Sequence, residues 1–194
     1  MRDFITKLRH YHEISQVGPI ARRYFALNAF DGVLTAVGVI TGSFVGGVKN
    51  PDTVITVVLS TAIGIAVSGF YGSYLIEKAE RGRALKELEE STLASLDDTD
   101  ISAAARYATI LIAIIDGASP ALAAIMVLIP FFIVGPDSIN VAYYIGWAIA
   151  FAELFGLGLF LGAVSRERFI VSGIKFTIAG AISLGLSLLL HVGA

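Results

Sequence analysis

The sequence predicts an all-α, polytopic membrane protein with five transmembrane helices. Three observations carry this. Hydrophobic residues make up 56% of the 194-residue chain and charged residues 15%, against about 25% charged in an ordinary soluble domain. Mean hydropathy is +0.78. The apolar residues fall into five long runs separated by short charged stretches, and a membrane helix needs about 20 mostly apolar residues. This composition excludes a soluble globular protein, a disordered chain and a disulfide scaffold. With no cysteine, thiolate metal sites, redox dithiols and cysteine nucleophiles are excluded. A net charge of −2 gives no reason to expect a nucleic-acid partner.

Residues 1–23 precede the first run and form a cytoplasmic amphipathic segment. They hold Arg2, Lys7, Arg9, Arg22 and Arg23 without a continuous apolar stretch or a small-residue cleavage site, so they are not a signal peptide. Phe4, Ile5, Leu8, Tyr11 and His12 recur at helical spacing, which predicts a helix over 2–15 lying on the membrane surface. The membrane domain, 24–194, has its spans at 24–48, 53–76, 107–134, 139–164 and 169–192. Alternating the sides from a cytoplasmic N-terminus places 13 Lys and Arg residues inside and only Lys49 outside, a strong positive-inside signal. After five spans the C-terminus is outside. The expected location is a prokaryotic plasma membrane, with a vacuolar membrane as the alternative.

Two outer turns are short. Lys49-Asn50-Pro51-Asp52 and Gly135-Pro136-Asp137-Ser138 are turn signals that each lead into a helix, with Asp or Ser as the expected cap. The cytoplasmic loop 77–106 opens with Glu77, Glu80, Glu87, Glu89 and Glu90 interleaved with Lys78, Arg81, Arg83 and Lys86. That pattern predicts a helical extension of the second span. An acidic turn of Asp97, Asp98 and Asp100 follows, with Ser102 as the expected cap of the third helix.

Shifting the chain by about 85 residues places Asp31-Gly32 on Asp116-Gly117, Pro51-Asp52-Thr53 on Pro136-Asp137-Ser138, and Arg81 and Arg83 on Arg166 and Arg168. This describes a tandem two-helix parallel repeat plus a fifth helix. Within the spans the acidic residues are Asp31, Asp116 and Glu153, and a carboxylate in hydrocarbon is costly unless paired, hydrated or protonated. At ~1.5 Å per residue, each lies roughly 10–16 Å from the inner end of its span. Similar depth points to one cation site or proton relay, and oxygen ligands suit a hard or borderline divalent metal. Desolvation favours a protonated carboxyl and a bound cation favours an ionised one, so proton and metal movement can be coupled there. The bland alternative is a neutral acid hydrogen-bonded to nearby backbone.

Asn28, Asp31, Thr35, Gly38, Gly42 and Gly46 share one face of the first span by three- and four-residue spacing. The polar end of that face would line a cavity, and the overlapping GxxxG patterns serve helix packing. Gly64, Ser68 and Gly72 repeat the small-residue pattern in the second span. Gly32, Gly117 and Pro120 weaken their helices, giving either a kink or backbone carbonyls available as ligands. Glu77, Glu80, Glu87 and Glu90 can group on helix faces, as a metal-collecting cluster or as a solvated, salt-bridged helix. His10, His12 and His191 form no ligand pattern, and His191 suits an interfacial helix end.

The Asp-Gly early in the first span and the acidic loop between the second and third look like the vacuolar iron transporter family. Gly72-Ser73-Tyr74-Leu75 followed by Ala79-Glu80 is similar to that family's Gly-Glu-Tyr segment, and Ile178-Ala179-Gly180-Ala181 resembles its last span. The likeness covers residues 22–192. It implies a homodimer in the lipid bilayer that moves ferrous iron, or a similar divalent cation such as manganese, out of the cytoplasm in exchange for protons. The metal is cargo; no resident cofactor is implied. Asp31 matches the family's pathway aspartate, and Glu77, Glu80, Glu87 and Glu90 fall in its metal-binding cytoplasmic region. Two positions depart from the pattern. Gly69 or its neighbours stand where the family often has methionine, and Ser73 stands at the Gly-Glu-Tyr glutamate. Asp116 and Glu153 are the compensating acids, by their burial. Two alternatives differ in class: a membrane-embedded, metal-dependent enzyme acting on lipid, and a non-transporting membrane scaffold. After Asp31 the next acid is Asp52, at the other membrane face, which weighs against the enzyme.

Overall fold

The computed structural model describes the backbone of residues 2–192 and the side chains of residues 5–189. The Arg2, Phe4 and His191 side chains therefore lie outside the described residues. Six α-helices are present among these residues: α1 (Arg2–Ser15), α2 (Val17–Val45), α3 (Pro51–Thr92), α4 (Asp100–Ile133), α5 (Ile139–Ser165) and α6 (Phe169–Val192), with one 3-10 turn at Pro136–Ser138. Five helices are long and apolar enough to cross a membrane, as the composition predicts, and the chain is an integral membrane protein.

The helix ends follow from local chemistry. Gln16, in the left-handed region at φ 49°, separates α1 from α2. Its side-chain amide donates to the Glu13 carbonyl at 2.9 Å, satisfying one of the last carbonyls of α1. The first membrane helix therefore starts at Val17, seven residues before the apolar run. α2 ends at Val45 and is closed by Gly47, whose φ of 70° lets Val48 N–H reach the Ser43 carbonyl at 3.0 Å and Gly47 N–H the Phe44 carbonyl at 3.1 Å. This is a glycine-terminated Schellman closure. The cap of α3 is Asn50, not an Asp: its Oδ1 accepts from Asp52 N–H at 2.9 Å, and Pro51 fills the first helical position, where a missing N–H costs nothing. Nor does Ser102 cap α4. The helix begins at Asp100, and Thr99 Oγ1 accepts from Ser102 N–H at 3.4 Å. The Ser102 hydroxyl donates back to the Asp97 carbonyl at 2.7 Å, tying down the acidic turn.

α3 is one continuous helix of 42 residues, about 63 Å long. A hydrocarbon core is about 30 Å thick, so its charged second half extends beyond the apolar segment as predicted. Arg81 pairs with Glu77 at 2.9 Å and Arg83 with Glu87 at 2.8 Å, both four residues apart. The loop returns through Glu89, which accepts from Leu96 N–H at 2.7 Å.

The chain divides into two compact units. The first comprises Met1–Phe25 with Val67–Ala118, and the second Ala26–Ala66 with Ser119–Ala194. In the first unit Val17, Ala108 and Ile112 form a small buried core with Ile20, Tyr24, Tyr107 and Leu111 around it. Tyr11 and His12 of α1 set their rings against Tyr107, with centroids 6.5 and 6.4 Å apart. His10 Nε2 lies 3.4 Å from Asp100 Oδ2. The amphipathic helix is thus anchored to the start of α4.

In the second unit a continuous apolar core joins Val33, Val37 and Ile40 to Val54, Val58, Val127, Leu128, Phe131, Tyr143 and Leu154. An aromatic group of Phe44, Phe131, Tyr143 and Trp147 packs edge-to-face near the α2–α3 and α4–α5 turns. Its polar tips are satisfied: Tyr143 OH donates to the Val48 carbonyl at 3.2 Å and Trp147 Nε1 to Thr41 Oγ1 at 3.0 Å. Such bonding accompanies buried Tyr and Trp.

Glycine makes the close approaches in this unit possible. A β-carbon on Gly32 would lie 2.5 Å from Pro120 Cα, on Gly158 2.6 Å from Gly173 Cα, and on Gly162 2.5 Å from Phe169 Cα. Carbon atoms pack at about 3.5–4.0 Å, so only glycine lets these backbones meet. The glycines of the repeated GxxxG face behave otherwise. Apart from the adjoining backbone of its own helix, nothing among the described residues comes within 4 Å of a β-carbon on Gly38, Gly42, Gly64 or Gly72. The close packing expected of that face is not made within one chain, and it falls instead to Gly158 and Gly162 of α5, which periodicity did not single out.

Candidate functional site

Each acidic residue of the spans sits in a different environment. Glu153 lies on α5 between Ala150, Leu154 and Leu157, all part of the second unit's apolar core or packed on it. Both of its carboxyl oxygens are buried and have no hydrogen-bond partner among the described residues. Burying a polar group without a partner costs a few kcal/mol, and more if it is charged. A group held there at such cost is a functional candidate by default in a membrane helix.

Asp116 lies on α4 in the first unit and is 9% exposed. Its room comes from Gly69 of α3, where a β-carbon would stand 3.1 Å from the Asp116 carbonyl oxygen and 3.4 Å from Oδ2. Pro120, four residues on, lacks the N–H that would bond that carbonyl within the helix. Ser73 is also buried, and its hydroxyl donates to the Gly69 carbonyl at 2.6 Å. Gly69 thus makes room for Asp116, and Ser73 bonds to the Gly69 carbonyl.

Asp31 is exposed on the wall of α2, next to the Gly32–Pro120 contact. The Asp-Gly pair is therefore explained on its glycine side by helix packing rather than by a break in α2, which stays helical through both residues. The repeat partners differ locally. Asp31 is exposed and Asp116 buried. Arg81 is inside α3, whereas Arg166 ends α5 in the left-handed region at φ 57°.

The glutamates of the charged half of α3 separate as well. Glu77 and Glu80 line one cleft of about 420 Å³ with Arg23, Tyr24 and Arg81. Glu80 and Glu87 line a second with Arg83. Glu77 is held by Arg81 and Glu87 by Arg83, and Glu90 is exposed near the end of α3. Among the described residues no three His, Asp or Glu side chains gather into a group able to hold a metal ion. Residue type and depth could not reveal the carboxyl surroundings, the Gly69 recess or the cleft at Arg23 and Tyr24, since each needs two helices in register.

Compared with known proteins, the chain is similar to the uncharacterized protein MJ0645 of Methanocaldococcus jannaschii. The two are 32% identical over 172 residues, which is 87% of each chain. No family model matches the chain, and no solved structure matches it.

Proposed function

This chain belongs to the same family as that Methanocaldococcus protein, and we propose that it carries a divalent transition metal, ferrous iron or manganese, across the membrane in exchange for protons. The observation that carries this reading is the Glu153 carboxyl, buried among apolar side chains with both oxygens unpartnered. A carboxyl in that state can accept a proton or a cation that arrives and release it again, because no fixed partner competes for it. Asp116, recessed against Gly69, is the second acid on the route, and Glu77 and Glu80 collect the metal in the cytoplasmic cleft. Export from the cytoplasm is the direction that the resemblance to vacuolar iron transporters implies, with the N-terminus inside a prokaryotic plasma membrane. The resemblance to vacuolar iron transporters supports both the cargo and the proton coupling.

The unit of function in this reading is a homodimer. Asp31 is exposed on α2, on the same face as Gly38 and Gly42, where a β-carbon would meet no other helix among the described residues within 4 Å. A carboxylate on a lipid-facing wall is costly, and small residues let a second helix come close. A second copy on this face shields Asp31 from lipid.

The test is flux into proteoliposomes of ferrous iron and manganese, with and without a pH gradient, for wild type and Glu153→Gln. Flux that responds to the gradient and is lost in the variant is expected. Full flux in folded Glu153→Gln refutes the role of this carboxyl. No flux of any metal by folded wild type refutes transport and turns attention to lipid substrates or a scaffold role.

A further inference from the structure

Where α3 and α4 leave the apolar segments, the first unit holds a cleft of about 410 Å³ lined by Tyr74, Lys78, Arg81, Leu85, Arg106 and Ile110, among others. Ligand pockets typically measure about 300–1,000 Å³. Tyr74, Lys78, Arg81 and Leu85 share one face of α3 by their four-, three- and four-residue steps, and Arg106 and Ile110 one face of α4. The cleft has no acidic residue in its lining. Arg81 is engaged by Glu77, but Lys78 and Arg106 are exposed and form no ion pair among the described residues. Lys78 Nζ stands 5.8 Å from the Tyr74 ring centre, at the outer limit of a cation–π contact, so its charge remains available. Leu85 and Ile110 are the apolar walls.

We propose that this cleft is a binding site for an anionic phospholipid, with Lys78 and Arg106 on the headgroup phosphate and an acyl chain running along Ile110. Three features select this occupant. Two uncompensated cations complement a phosphate. The walls beside them are apolar, which a free anion does not need. Lys78 and Arg106 stand at the two points where the chain passes from apolar span to charged loop, the depth of lipid headgroups, and Tyr74 is an aromatic residue of the kind that sits at that interface. Basic residues near an anionic headgroup contribute about one kcal/mol each. The site is independent of the metal-transport reading.

The test is native mass spectrometry of the detergent-purified protein with dioleoyl phosphatidylglycerol or dioleoyl phosphatidylcholine. The wild type is expected to retain phosphatidylglycerol in preference to phosphatidylcholine. The double variant K78Q/R106Q is expected to lose roughly 30-fold in phosphatidylglycerol affinity, and each single variant roughly fivefold. The charge-conserving K78R/R106K should retain binding, and R166Q/R168Q, which removes two charges elsewhere, should leave it unchanged. The single variants carry the comparison if the double variant loses its native helix content. Equal retention of the two lipids, unchanged binding in K78Q/R106Q, an equal loss in R166Q/R168Q, or displacement by millimolar inorganic phosphate would each overturn the assignment.

Discussion

Replacing Gly32 by Ala tests whether the Asp-Gly pair of α2 exists to bring two helices together. The added β-carbon would stand 2.5 Å from Pro120 Cα and would overlap the Pro120 carbonyl. Since carbon atoms pack at about 3.5–4.0 Å, α2 and α4 must separate by about 1 Å. The obstacle is backbone, which cannot rotate away, so the cost belongs at the upper end of the ~1–3 kcal/mol typical of overpacking. Against it stands a helix-propensity gain of about 1 kcal/mol for Gly to Ala. The expected net loss is about 2 kcal/mol, or a Tm lower by about 4–8 °C for a chain of this size. Gly64→Ala is the matched control, because nothing lies within 4 Å of its β-carbon, and it should melt at or slightly above wild type. Thermal unfolding in detergent, followed by circular dichroism, reads both. A Gly32→Ala protein melting at or above wild type would refute the packing role, and the pair would then be left with the ligand or kink role weighed for it from sequence.

Other outcomes follow from the same geometry. Glu153→Leu removes a carboxyl whose oxygens are buried without partners among the described residues, so it should raise stability by about 1–3 kcal/mol while abolishing metal flux; a lower Tm would mean that the carboxyl has a stabilising partner. Asn50→Ala removes the side-chain cap of α3 and should cost about 0.5–2 kcal/mol, measured as a Tm decrease that Asp52→Ala does not reproduce. Gly42→Leu places a bulky side chain on the open face of α2. On the homodimer reading proposed above, sedimentation in detergent should show a shift from dimer to monomer with the monomer's helix content intact, and an unchanged dimer would move the interface to another face.

The sequence by itself determined the number of spans, the helical class and the extension of α3, because each depends on local properties. Hydropathy over about 20 residues decides whether a helix can sit in lipid, and alternating Glu and basic residues support a helix beyond it. It also identified the residues costly enough to demand explanation, since an acid in a span is conspicuous wherever it packs. Tertiary structure alone decided what those residues face. Asp31, Asp116 and Glu153 look alike by type and depth, yet one is exposed, one is recessed against Gly69 and one has a buried, unpartnered carboxyl. The same holds for glycine: the conspicuous GxxxG faces are open in the single chain, while Gly32, Gly158 and Gly162 make the close contacts. Periodicity specifies which residues share a helix face, but not which helix that face meets or at what height. That depends on the crossing of two helices far apart in the chain, and the environment of every buried carboxyl is set there.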